Sequence, residues 1–167
     1  TVPQVETARM VLQPAKTRNG REIFPGHIAG PELGWGRFLS KEPPDVAVDQ
    51  FKYVVHKDDP NWDWLTFDMD KDVALSEKIE KGAVNAIDPN LQPFASHGGK
   101  LIMYHGWNDP MVTVQSSIHY YQNVVDKMGG PQKTSGMLRL FLAPGMGHCS
   151  GGEGPNTFDS ISALEQW

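Results

Sequence analysis

The sequence predicts an α/β fold in two unlike parts, and three observations carry that prediction. Lys100 to His105 and Leu138 to Leu142 are short apolar runs with the length and composition of strands buried on both faces. Between them, Ile118, Tyr121, Val125 and Met128 fall on one side of a segment from Ser116 to Lys127 at helical spacing. Before about Asn85 the chain instead carries turn signals in close succession. The expected architecture is a βαβα unit over residues 88–167, preceded by a loop-rich segment over residues 1–87.

The first segment is punctuated by Pro25-Gly26, Gly30-Pro31, Gly34-Trp35-Gly36 and Pro43-Pro44, which leave room for few long elements. A helix is expected from Asp70 to Lys81, because its first turn is acidic, as the helix dipole prefers, and Gly82 offers a stop. Just before it lie Trp62, Trp64 and Phe67. Such a cluster reads either as ordinary core or as an aromatic cap over a pocket.

In the second part, Gly98-Gly99 precedes the first strand and Gly129-Gly130 ends the helix that follows it. After the second strand, a last helix from about Phe158 places Ile161, Leu164 and Trp167 on one face, with Thr157 as its expected cap. A crossover of this kind makes the two strands parallel, so their carboxyl ends share an edge, where α/β sheets build their sites.

Composition narrows the partners. With 39% apolar residues, the 167-residue chain can bury a core, and its 30 glycines and prolines, 17 and 13, favour loops and short elements. The net charge of −5 is spread without a basic run, which argues against nucleic acid and anionic membrane as partners. No apolar run approaches the ~20 residues that span a bilayer.

Two stretches carry chemistry. Tyr104-His105-Gly106-Trp107-Asn108-Asp109-Pro110 and Pro144-Gly145-Met146-Gly147-His148-Cys149 each follow a strand and present a reactive side chain on a glycine-flanked turn. Asp109 alone reads as a turn-forming aspartate, and His148 alone as a histidine satisfied by nearby backbone. Their joint occurrence beyond successive strand ends points to a catalytic acid and base. In α/β-hydrolases the order along the chain is Ser, Asp, His, so the serine should precede Asp109. No G-x-S-x-G pattern occurs in these 167 residues. Ser150 is a poor nucleophile candidate, since it stands two residues from His148 and not on a glycine-led strand-to-helix elbow. His105 ends the strand that leads to Asp109; it reads as a buried, hydrogen-bonded histidine or, with Tyr104, as an orienter of the acid loop. His97 and His119 with one cysteine fit no zinc spacing, and Gly151-Gly152-Glu153-Gly154 lacks the lysine of a phosphate loop. The lone Cys149 reads as a small hydrophobe or as half of a disulfide bracing the histidine loop.

The two stretches, together with Gly98-Gly99-Lys100-Leu101-Ile102-Met103 and Tyr120-Tyr121, resemble the C-terminal part of the tannase and feruloyl esterase family of α/β-hydrolases. Phe24-Pro25-Gly26, Gly34-Trp35 and Trp62-Asp63-Trp64 are similar to the latter portion of that family's lid domain. The resemblance implies the C-terminal part of an α/β-hydrolase core (βαβα) preceded by a loop-rich lid segment. It implies that Asp109 is the triad acid, His148 the base, and Cys149 one half of a disulfide to a cysteine directly before the catalytic serine. That cysteine and serine would belong to an N-terminal segment of the same enzyme, outside these residues. The family's calcium-binding lid loop has no counterpart in residues 1–90, so no cofactor and no metal are expected here. The implied activity is a serine carboxylesterase acting on small phenolic esters of feruloyl, galloyl or terephthalate type, secreted or periplasmic, with this chain inactive alone. The contrasting expectation is a non-catalytic module that binds an aromatic ligand or a partner chain.

Overall fold

The computed structural model describes residues 1–167, with every side chain except that of Arg37. The element order is α1 (Val2–Leu12), β1 (Ala15–Lys16), β2 (Glu22–Phe24), α2 (Asp45–Asp49), α3 (Met69–Glu80), α4 (Gln92–Ser96), β3 (Leu101–Gly106), α5 (Val114–Lys127), α6 (Pro131–Thr134), β4 (Leu138–Ala143) and α7 (Ser160–Glu165). Short 3-10 turns at Glu32–Arg37 and Trp64–Thr66 and a wide helical turn at Gln50–Val55 complete the first part.

β3 and β4 pair in parallel from Leu101 opposite Leu138 to Gly106 opposite Ala143. Period-two alternation divides their side chains between two faces. Leu101, Met103 and Leu138 join Val124 and Met137 in the core, and Tyr121 and Met128 of the helical stripe pack against it. Tyr104 stands on the other face, edge-on to Phe158 at 4.7 Å, while Arg139 lies over the ring of Trp167 at 3.8 Å. The βαβα expectation and the parallel pairing are therefore realised, with strand limits within one residue.

α5 starts two residues earlier than its spacing suggests, because the Thr113 hydroxyl accepts the amide of Gln115 and Val114 is buried as the first helical residue. α7 differs more. Its cap is Asp159 rather than Thr157: the Asp159 carboxylate accepts the Ser162 amide at 2.9 Å and its hydroxyl at 2.7 Å, so the helix opens at Ser160.

In the first part, α3 matches its expected span. Asp68 accepts the amides of Asp70 and Lys71, and Lys81 turns left-handed before Gly82. Arg18 pairs with Asp68 at 2.6 Å and Arg21 with Glu77 at 2.7 Å, tying the β1–β2 region to this helix. α1 is a finding against the loop-rich expectation. Pro3 sits in its first turn, where a missing N–H costs nothing, but none of its residues is buried, so no apolar stripe announced it. Trp62 is buried, stacked on His56 at 5.0 Å and on Phe51 at 6.1 Å, and Phe67 meets Phe51 edge-on. His56 Nε2 lies 2.9 Å from Oδ1 of the buried Asp72, whose second oxygen accepts the Asp68 amide.

Candidate active site

The loops after β3 and β4 are laced together by backbone. The Trp107 amide donates to the carbonyl of Ala143 at 2.9 Å, and the Asn108 amide to that of Met146 at 2.9 Å. Met146 is fully buried and anchors the second loop. Gly106 is required here, since a Cβ would run into the carbonyl oxygens of Met146 and Gly147. Behind the first loop lies the chain from Gly26 to Trp35. The Thr113 hydroxyl donates to the Gly26 carbonyl at 3.0 Å, the Trp107 indole to that of Ala29 at 3.2 Å, and a Cβ on Gly34 would sit 2.5 Å from Pro110.

This lacing brings Asp109 and His148 into contact across 39 positions of sequence: Nδ1 of His148 lies 2.7 Å from Oδ2 of Asp109. Oδ1 of Asp109 accepts the amides of Met111 at 2.8 Å and Val112 at 2.9 Å. Burial is the largest single influence on the Asp109 carboxyl and by itself would raise its pKa. The Val112 amide, the His148 hydrogen bond and the Met111 amide outweigh it and hold the group below the ordinary carboxylate value. Asp109 is 4% exposed and the His148 side chain 42%. A carboxylate only accepts, so Nδ1 of His148 carries the proton and Nε2 of the neutral ring is the free base. An imidazole so oriented, with half its surface open, can take a proton from a neighbouring hydroxyl and return it.

His105 is brought to the same carboxylate, with Nε2 at 3.3 Å from Asp109 Oδ2 and 3.0 Å from the Val112 carbonyl, and Nδ1 at 2.7 Å from Ser117 Oγ. Tyr104 is not, because adjacent strand residues point to opposite faces. Cys149 is exposed, with φ at +61°, a left-handed backbone that a side chain rarely adopts. Sequence reasoning missed His27. Its ring stacks on Phe38 at 5.4 Å; burial lowers its pKa while the charge of Asp109 works the other way. Its only sequence signal is its place after Pro25-Gly26. The aromatic cluster lines an apolar cavity of about 220 Å³ with Pro43, Ala47, Val48 and Phe51, and neither Asp109 nor His148 borders it. Among the described residues no group of three or more His, Cys, Asp or Glu is placed to hold a metal, and no helix is long and apolar enough to cross a membrane.

Two parallel strands with an aspartate–histidine pair beyond their carboxyl ends fit an α/β-hydrolase type of fold, and solved structures that this chain resembles are of that type. Feruloyl esterase B from Aspergillus oryzae superposes with a TM-score of 0.87 at 28% identity, over 98% of this chain and 35% of that one. Tannin acyl hydrolase from Aspergillus niger matches with a TM-score of 0.61 at 20% identity, over 98% and 34%, a likeness of fold alone. The sequence profile "Tannase and feruloyl esterase" matches residues 37–167, and the chain belongs to that family. A probable feruloyl esterase B-2 of Aspergillus terreus is 35% identical over 90% of this chain and 29% of its own length. Feruloyl esterase C of Talaromyces stipitatus is 32% identical over 100% and 31%. The chain thus spans about a third of the length of the relatives it matches.

Proposed function

We propose that this chain supplies the acid and the base of a carboxylic ester hydrolase that cleaves phenolic esters of feruloyl or galloyl type by a Ser–His–Asp mechanism. The observation that carries the proposal is the 2.7 Å contact between His148 Nδ1 and a buried, ionised Asp109. The names of the relatives, feruloyl esterases B and C, support the substrate class. The nucleophilic serine comes from polypeptide outside these 167 residues, in keeping with the third of its relatives' length that the chain spans.

In this mechanism His148 Nε2 accepts the serine proton as the oxygen attacks the ester carbonyl. Asp109 holds the ring in the Nδ1–H tautomer and stabilises the imidazolium, which then protonates the leaving alcohol. Water repeats the sequence to release the acid. Every step is a proton or acyl transfer between these groups and the substrate. Residues 1–87 form part of a lid, Cys149 braces the histidine loop through a disulfide to the segment bearing the serine, and such a disulfide fits a secreted or periplasmic enzyme.

The test is hydrolysis of methyl ferulate and methyl gallate. The 167-residue chain alone should show negligible turnover, and the longer polypeptide carrying it should hydrolyse one or both. In that polypeptide His148→Ala should abolish turnover with folding intact. Retained activity in His148→Ala, or turnover by the short chain alone, contradicts the proposal.

A further inference from the structure

The geometry points to His105 as a positioning residue for the acid of the pair, an inference that rests on the function proposed above. Strand alternation turns His105, like Leu101 and Met103, toward α5, where its side chain is 12% exposed and held at both nitrogens. The Val112 carbonyl only accepts, so Nε2 must carry a ring proton and donate it to that carbonyl at 3.0 Å, with Asp109 Oδ2 alongside at 3.3 Å. On its other side Nδ1 lies 2.7 Å from the Ser117 hydroxyl, so the ring is held at both nitrogens and its plane is fixed.

Two consequences follow for the acid. Val112 is clamped on both sides, its amide donating to Asp109 Oδ1 and its carbonyl accepting from His105. The turn that delivers the Met111 and Val112 amides therefore cannot rotate without breaking one of these bonds. Asp109 in turn accepts three N–H groups, two amides on Oδ1 and the ring of His148 on Oδ2. This fixes the plane of the carboxylate and keeps Oδ2 on His148.

Side chains of different reach separate this role from mere packing. Glutamine places an amide N–H near the Nε2 position, asparagine reaches only as far as Nδ1, and leucine fills the space with no donor. In the catalytically active polypeptide, His105→Leu and His105→Asn should lower kcat about 10- to 100-fold with KM little changed. His105→Gln should recover activity to within a few-fold of the wild type. If His105→Leu does not fold, the contrast between Gln and Asn decides. Equal kcat in the Gln and Asn variants, or a wild-type kcat in Leu, overturns the inference. His148→Ala run in parallel tells the two failures apart: an inactive His148→Ala with a normal His105→Leu removes only the role of His105, whereas an active His148→Ala removes the proposed function and this inference with it.

Discussion

Gly106, the last residue of β3, packs so closely on the carbonyl of Met146 that the strand leading to Asp109 and the loop carrying His148 touch at a point with no room for a side chain. Gly106→Ala should push the two loops apart. The expected result is a kcat loss of about 100-fold, since a displacement near 1 Å suffices for that. It should come with a stability loss of about 1–3 kcal/mol from overpacking. Kinetics and urea titration of the same preparation check both.

The depressed pKa of Asp109 has a signed effect on stability. Folding favours its carboxylate, so the stabilisation is fully present above the unfolded value of about 3.9 and is lost as pH falls through the lower folded value. Asp109→Asn should therefore make stability less steep in pH across that acidic window, and lower kcat by about 10⁴-fold through loss of the right tautomer. Unfolding measured at a series of acidic pH values, with turnover near neutrality, tests the two effects separately.

The contact between His56 and the buried Asp72 predicts a non-additive cycle. His56→Leu leaves Oδ1 of Asp72 without its partner and should cost about 1–3 kcal/mol. The double change to His56→Leu and Asp72→Leu should cost less than the sum of the single changes. Denaturant titrations of the four proteins measure the coupling.

β3 pairs with β4 on one side only, and Tyr104, Phe141, Phe158 and Ile161 leave an apolar face exposed on that small sheet. An open edge beside an apolar face recruits another strand. The 167-residue chain on its own should self-associate in size-exclusion chromatography with light scattering, and a stable monomer would contradict this.

The parts of the fold legible in the sequence were those with local physical signatures. β3 and β4 showed as apolar runs, α3 through the acidic first turn after Asp68 and the stop at Gly82, and Asp109 and His148 as reactive groups on glycine turns. What escaped detection has no such signature. α1 buries nothing, so it carries no stripe. Thr157 and Asp159 are both good caps two residues apart, and only the Ser162 contacts choose between them. His56 and Asp72 meet across 16 positions, and His27 stacks on Phe38 and donates its amide to the Val11 carbonyl, tertiary packing that no periodicity encodes. Tyr104 and His105 were separable in principle, because neighbours on a strand face opposite ways and only one can turn toward α5.

The proposed role of His148, held by Asp109, is to activate a serine outside this chain. A fluorophosphonate reagent, which labels serines made nucleophilic by such a base, tests it when applied to the complete polypeptide and followed by peptide mass spectrometry. One labelled serine is expected outside these 167 residues, with labelling lost in His148→Ala. Labelling of Ser150, or undiminished labelling in His148→Ala, would contradict it.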